Sequence, residues 1–141
     1  MKLNTMAAVM TFISKIENDS ASFYEAQADR LPDLKDKLTT WAKENKRFAK
    51  QVKQTYFGVI TDTLESNYAF QGLDTDDFVL DPTLPDNADP PTVQKRITQM
   101  EETIGRFYAE AAGVSDGLMA DIPRLFKKIA GKRDERLRVL G

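Results

Sequence analysis

Apolar residues recur at intervals of three and four along the first third of the chain. From Asn4 or Thr5 onward, Val9, Ile13, Ile16, Phe23, Tyr24 and Ala28 fall on one stripe, the spacing of an amphipathic helix. Pro32 disfavours helical geometry in the residue before it, which predicts an end near Leu31. A second stripe, Leu34, Leu38, Trp41, Phe48 and Val52, predicts a helix running from Asp33, a good N-cap, to about Ile60. A very short turn joins the two, so residues 5–60 read as an antiparallel helical hairpin. Trp41, Phe48, Phe57 and Phe126 stand at helical spacing and are expected in the core.

The pattern breaks at residues 61–91, which hold eight acidic residues, no Lys or Arg, and four of the chain's six prolines. This stretch is too long for an ordinary turn and predicts a crossover, with a short helical piece around 61–70. "DTDD" at 74–77 offers oxygen donors but lacks the turn Gly and distal bidentate Glu of a calcium loop. Helical periodicity resumes at "ADPPTVQ", with Asp89 as cap and Pro90 and Pro91 in the first turn. Val93, Ile97, Met100, Ile104, Phe107, Tyr108 and Ala111 form the apolar face, and Gly113 marks the expected stop. A fourth helix starts at Asp121 with Pro123 in its first turn and runs through Leu125, Ile129 and Leu137 to Leu140. Residues 92–140 thus form a second hairpin. The fold class predicted for residues 1–141 is an all-α, four-helix bundle of one domain.

The two hairpins are related. A shift of 84 residues lays "ISKIENDSASFYEAQA" on "ITQMEETIGRFYAEAA", matching Glu17 with Glu101, Phe23 and Tyr24 with Phe107 and Tyr108, and Ala28 with Ala112. Glu17, Ser20 and Tyr24 share the stripe of the core residue Ile13, as Glu101, Ile104 and Tyr108 share a second stripe. A carboxylate on the buried face of each of two helices needs compensation.

Composition narrows what can compensate it. The chain has no His and no Cys, which removes imidazole ligands, thiolate sites, iron–sulfur clusters, disulfides and the usual nucleophile–base pairs. A net charge of −2, from 20 basic and 22 acidic residues, points to no particular partner. No apolar run approaches the roughly 18 residues of a membrane span, and the first residues show no signal-peptide cleavage pattern, so the expected location is cytoplasmic.

These residues resemble the rubrerythrin-like branch of the ferritin-like superfamily over residues 6–57 and 92–139, with the crossover unmatched. The resemblance implies a ferritin-like bundle of two hairpins around a pair of metal ions. In it Glu17 of "ENDSASFY" and Glu101 of "EETIGRFY" take the first- and third-helix ligand positions. The remaining ligand positions depart from the family's pattern. In "WAKENKRFAK" Asn45 and Phe48 stand where the second helix would supply Glu and His, and Arg133 and Arg136 stand at those places on the fourth helix. Ile104 replaces a further third-helix Glu.

Guanidinium groups are permanently charged and match a carboxylate's geometry. Glu17 and Glu101 are therefore expected to pair with Arg133 and Arg136 inside the bundle, with Tyr24 and Tyr108 donating hydrogen bonds. The competing expectation is that "GKRDERLRVLG" is a solvated helix end complementing the helix dipole. Three functions follow. The first is a non-catalytic structural or interaction protein that has lost its dimetal centre, with no metal, cofactor or catalytic residue. The second, implied by the intact family, is a divergent metal-binding oxidoreductase acting on peroxide or oxygen, although two Arg beside two Glu oppose cation binding. The third is a basic binding module at residues 124–138. It lacks interleaved aromatics, so neither nucleic acid nor membrane is expected as partner. The resemblance also implies a homodimer; no other protein partner is readable.

Overall fold

The structure, a computed structural model, describes residues 1–63, 71–115 and 120–141. Its α-helices are α1 (Met6–Gln27), α2 (Lys35–Thr63), α3 (Pro90–Val114) and α4 (Asp121–Leu140). Thr5 caps α1, its hydroxyl accepting from the Ala8 amide at 3.1 Å. Asp89 caps α3 by accepting from the Thr92 amide at 3.0 Å, with Pro90 and Pro91 in the first turn, where a missing N–H costs nothing.

The boundaries differ from expectation at three places. Helix α1 stops at Gln27, and the chain tightens into two 3₁₀ turns, Ala28–Arg30 and Pro32–Leu34, before α2 starts at Lys35. Asp33 therefore lies within a 3₁₀ turn and does not cap α2. Helix α2 continues to Thr63, taking up the first part of the helical piece expected at 61–70; residues 64–70 lie outside the described residues. Helix α3 passes Gly113 to end at Val114, with Ser115 donating its amide to the Ala111 carbonyl at 3.1 Å.

α1 packs along α2 and α3 along α4, and these hairpins join through α2 against α4 and α1 against α3. The order around the bundle is thus α1, α2, α4, α3. Phe12 meets Phe107 at 5.2 Å while Phe23 shares a cleft with Met100, so α1 and α3 run antiparallel. The crossover lies over these two helices. Leu3 donates its amide to the Leu73 carbonyl at 2.9 Å, Phe78 stacks edge-on against Phe107 at 5.1 Å, and Arg106 donates to the Asp77 carbonyl at 2.8 Å. Gly72, just before this clasp, has a φ of 88°, a left-handed conformation that a side chain would disfavour.

The apolar interior falls into two clusters. One gathers Val9, Phe12, Ile13, Val52, Phe107 and Phe126; the other gathers Tyr24, Leu38, Trp41, Ile97 and Leu140. On every helix a polar residue falls between the two, namely Glu17 on α1, Asn45 on α2, Glu101 on α3 and Arg133 on α4, each fully buried. Trp41, Phe48 and Phe126 are core residues as expected, but Phe57 is 54% exposed. It follows the inward-facing Tyr56 directly, and one residue of helix turns it about 100° away from the core. Among the described residues no helix is long and apolar enough to cross a membrane.

Candidate functional site: the buried ionic layer

The polar level between the two apolar clusters is a single chain of contacts that reaches all four helices. Arg133 on α4 lies between the two carboxylates. One terminal nitrogen donates to Glu101 Oε2 at 2.8 Å and the other to Glu17 Oε1. Arg136, one turn further on, donates from Nη1 to Glu101 Oε1 and to Asn45 Oδ1, both at 2.7 Å. Its Nη2 donates to Glu44 Oε1 at 2.7 Å, at the edge of the layer. Tyr108 donates to Glu17 Oε2 at 2.6 Å. The amide of Asn45 then donates to Ser20 Oγ at 2.9 Å, and Ser20 donates to the Ile16 carbonyl at 2.7 Å.

Local sequence explains how each group arrives. Glu17 and Glu101 extend the inward stripes of α1 and α3, so burial follows from helical phase alone. Arg133 needs room beside α3, which Gly105 provides. A Cβ at that position would stand 3.3 Å from the Arg133 Cβ, closer than side chains ordinarily approach. Phe48 presents its ring to both guanidiniums, 5.6 Å from Arg133 and 5.7 Å from Arg136, and Trp41 lies 5.3 Å from Arg136. Aromatic faces attract these cations, more strongly once water is excluded.

The two carboxylates are held unequally. Burial pushes the Glu101 carboxyl upward, but the charges of Arg133 and Arg136 outweigh it and hold the group below its ordinary 4.5. Glu17 has one guanidinium and one phenol, and there burial wins and the carboxyl is raised above 4.5. Arg133 remains a cation: burial opposes its charge, but Glu101 and Glu17 more than restore it. Burial and the adjacent carboxylates raise both tyrosines well above 10, keeping both phenols neutral.

The structure brings Glu17, Asn45, Phe48, Glu101, Arg133, Arg136 and Tyr108 into one layer. Arg133 and Arg136 are buried rather than part of a solvated helix end, whereas Arg138 in the last turn is exposed. Tyr24 departs from expectation. It is fully buried beside the layer, yet its hydroxyl makes no hydrogen bond, although the Glu101 charge reaches it. Glu44 is a participant that the repeat did not reveal; the available signal was its place as the sole acidic residue in "WAKENKRFAK". Ser20 was on the inward stripe, but its bond to Asn45 was not legible.

This donor set does not fit a dimetal centre. Among the described residues no cluster of three or more His, Cys, Asp and Glu could hold a metal ion, and all four oxygens of Glu17 and Glu101 accept from Arg or Tyr. A cation there would have to displace a guanidinium already balanced by both carboxylates. Surface clefts of about 450 Å³ beside Phe12 and Thr75, and about 440 Å³ beside Phe23 and Pro82, include none of the layer's residues. What fold and site define is therefore an all-α bundle of two hairpins with a buried Glu/Arg network. Comparison with protein-family models, with curated proteins and with solved structures returns no match.

Proposed function

We propose that this chain is a ferritin-like bundle of the rubrerythrin type whose dimetal centre has given way to an internal salt-bridge network, and that it serves as a non-catalytic structural or interaction protein. The observation that carries the reading is Arg133. A fixed positive charge bridges two carboxylates on the repeat-related helices α1 and α3, where the resemblance implies metal ions bridging them. Repeat-related Glu17 and Glu101, two antiparallel hairpins and the long crossover between them support the same descent.

A Glu/Arg layer has consequences different from those of a metal pair. It has no open coordination position and no redox couple. Desolvation offsets most of the attraction within buried ion pairs, so its contribution is to specify which helices meet and in what register. The deciding experiment is elemental analysis after expression with iron and manganese, run on the wild type and on Glu17→Gln. The expected result is metal far below one ion per chain in both. Near-stoichiometric metal in the wild type that is lost in the variant would overturn the reading and favour an oxidoreductase.

A further inference from the structure

The charges of this molecule are segregated by face. Helices α2 and α4 hold 14 of its 20 Lys and Arg residues, 12 of them outside the buried layer of Arg133 and Arg136, against six Asp and Glu. The crossover residues 71–89 hold six Asp and no basic residue, and they lie across α1 and α3 on the opposite side of the bundle. The acidic crossover therefore does not neutralise the basic helices within one chain. Lys43 and Arg47 on α2, and Lys128 and Lys132 on α4, are exposed and form no ion pair with a described residue. On the other side the side chains of Asp77 and Asp86 are exposed and form no ion pair with a described residue, while Asp76, 82% exposed, lies 3.6 Å from the Met1 amine.

We propose that the basic α2/α4 face of one molecule docks on the acidic crossover face of a second copy, giving head-to-tail self-association. Opposite charges on opposite sides of one chain fit this partner specifically. Asp121, Asp134 and Glu135 are interspersed among the basic residues of α4. A uniformly anionic polymer or lipid surface would repel these acids, whereas a discrete patch of Asp can be set in register between them. Because the complementary patches differ, the contact is heterologous, and it propagates as an open chain unless the rotation between copies closes a ring. The inference does not depend on the ancestry of the buried layer, since it uses only surface residues.

The test is sedimentation velocity on the whole chain across a concentration series. At low ionic strength, where the Debye length is about 30 Å, the wild type is expected to assemble beyond a dimer as concentration rises. It should return to a monomer near 1 M salt, where that length is about 3 Å. A triple reversal of the basic face, Arg47→Glu with Lys128→Glu and Lys132→Glu, should be monomeric, as should Asp77→Lys with Asp86→Lys. An equal mixture of the two variants sets opposite charges against each other at both the native and the swapped contact, and should reassemble. A wild type that stays monomeric at low salt, an assembly indifferent to salt, or a mixture that remains monomeric would overturn the proposal. So would a monomeric wild type retained instead by anionic vesicles or an oligonucleotide. If either variant fails to fold by circular dichroism, the salt response of the wild type decides alone.

Discussion

Glu17 and Glu101 hold equivalent places in the two hairpins, but they meet opposite electrostatic surroundings. The difference comes from their partners on α2 and α4. The second hairpin supplies Arg133 and Arg136 from α4, while the first supplies Asn45 and Phe48 from α2. Glu101 consequently faces two guanidiniums and is held ionised below 4.5, whereas Glu17 shares one of them and is raised above it. The tyrosines repeat the asymmetry, because Tyr108 crosses to bind Glu17 while the related Tyr24 binds nothing. Near-identical helix patterns thus carry unequal energetic weight, since a buried carboxylate's behaviour is set by what faces it across the bundle.

The sharpest way to break this picture is Arg133→Met. It leaves both carboxylates with too little compensation, and breaking such a buried pair costs about 3–5 kcal/mol, a Tm fall of about 10 °C or more by calorimetry. A fall of a degree or two would mean that Arg133 is not the group that binds the halves together.

Next in size are the two carboxylates, compared side by side. Glu101→Gln strips Arg133 and Arg136 of their shared partner and should cost about 3 kcal/mol in urea unfolding, with Glu17→Gln costing about half that. Their pH signatures should have opposite sign. Glu101 titrates below its unfolded value, so its stabilisation is present above pH 4.5 and is lost as pH falls through the folded pKa. Glu17 titrates above its unfolded value, so stability declines as pH rises from 4.5 through the folded pKa. Glu101→Gln should flatten the acid limb of a stability–pH curve, and Glu17→Gln the limb just above it. The same limb flattened by both variants would refute the inequality.

The tyrosines give the smaller effects. Tyr108→Phe removes a hydrogen bond to a buried carboxylate and should cost about 1.5–2 kcal/mol by denaturant titration. Tyr24→Phe removes a buried hydroxyl that satisfies nothing, so it should lie within about 0.5 kcal/mol of wild type or be slightly stabilising. Equal losses from the two would show that Tyr24 has a partner in solution.

Much of this was legible before any coordinates. The four amphipathic stripes, the cap at Asp89 and the inward placement of Glu17 and Glu101 are local properties that short-range spacing carries. The requirement that buried charge be compensated called for partners to the two acids, and the family resemblance pointed to Arg133 and Arg136 by setting them at the fourth-helix ligand positions. Helix α1 escaped that reading at its end, because the choice between an α turn and two 3₁₀ turns over residues 28–34 rests on small differences in backbone hydrogen bonding. Phe57 escaped it because a run of aromatics does not itself say which member faces inward.

What the sequence determined by itself is therefore the set of helices and the faces they bury, since both depend on contacts within a few residues. Tertiary structure alone decided that Arg133 is shared by both carboxylates, that Arg136 reaches Glu44, that Tyr108 bonds while Tyr24 does not, and that the acidic crossover lies away from the basic helices. Those outcomes depend on how far apart four helices stand and at what height each presents its side chains. Periodicity along one helix holds no information about the height of its neighbour.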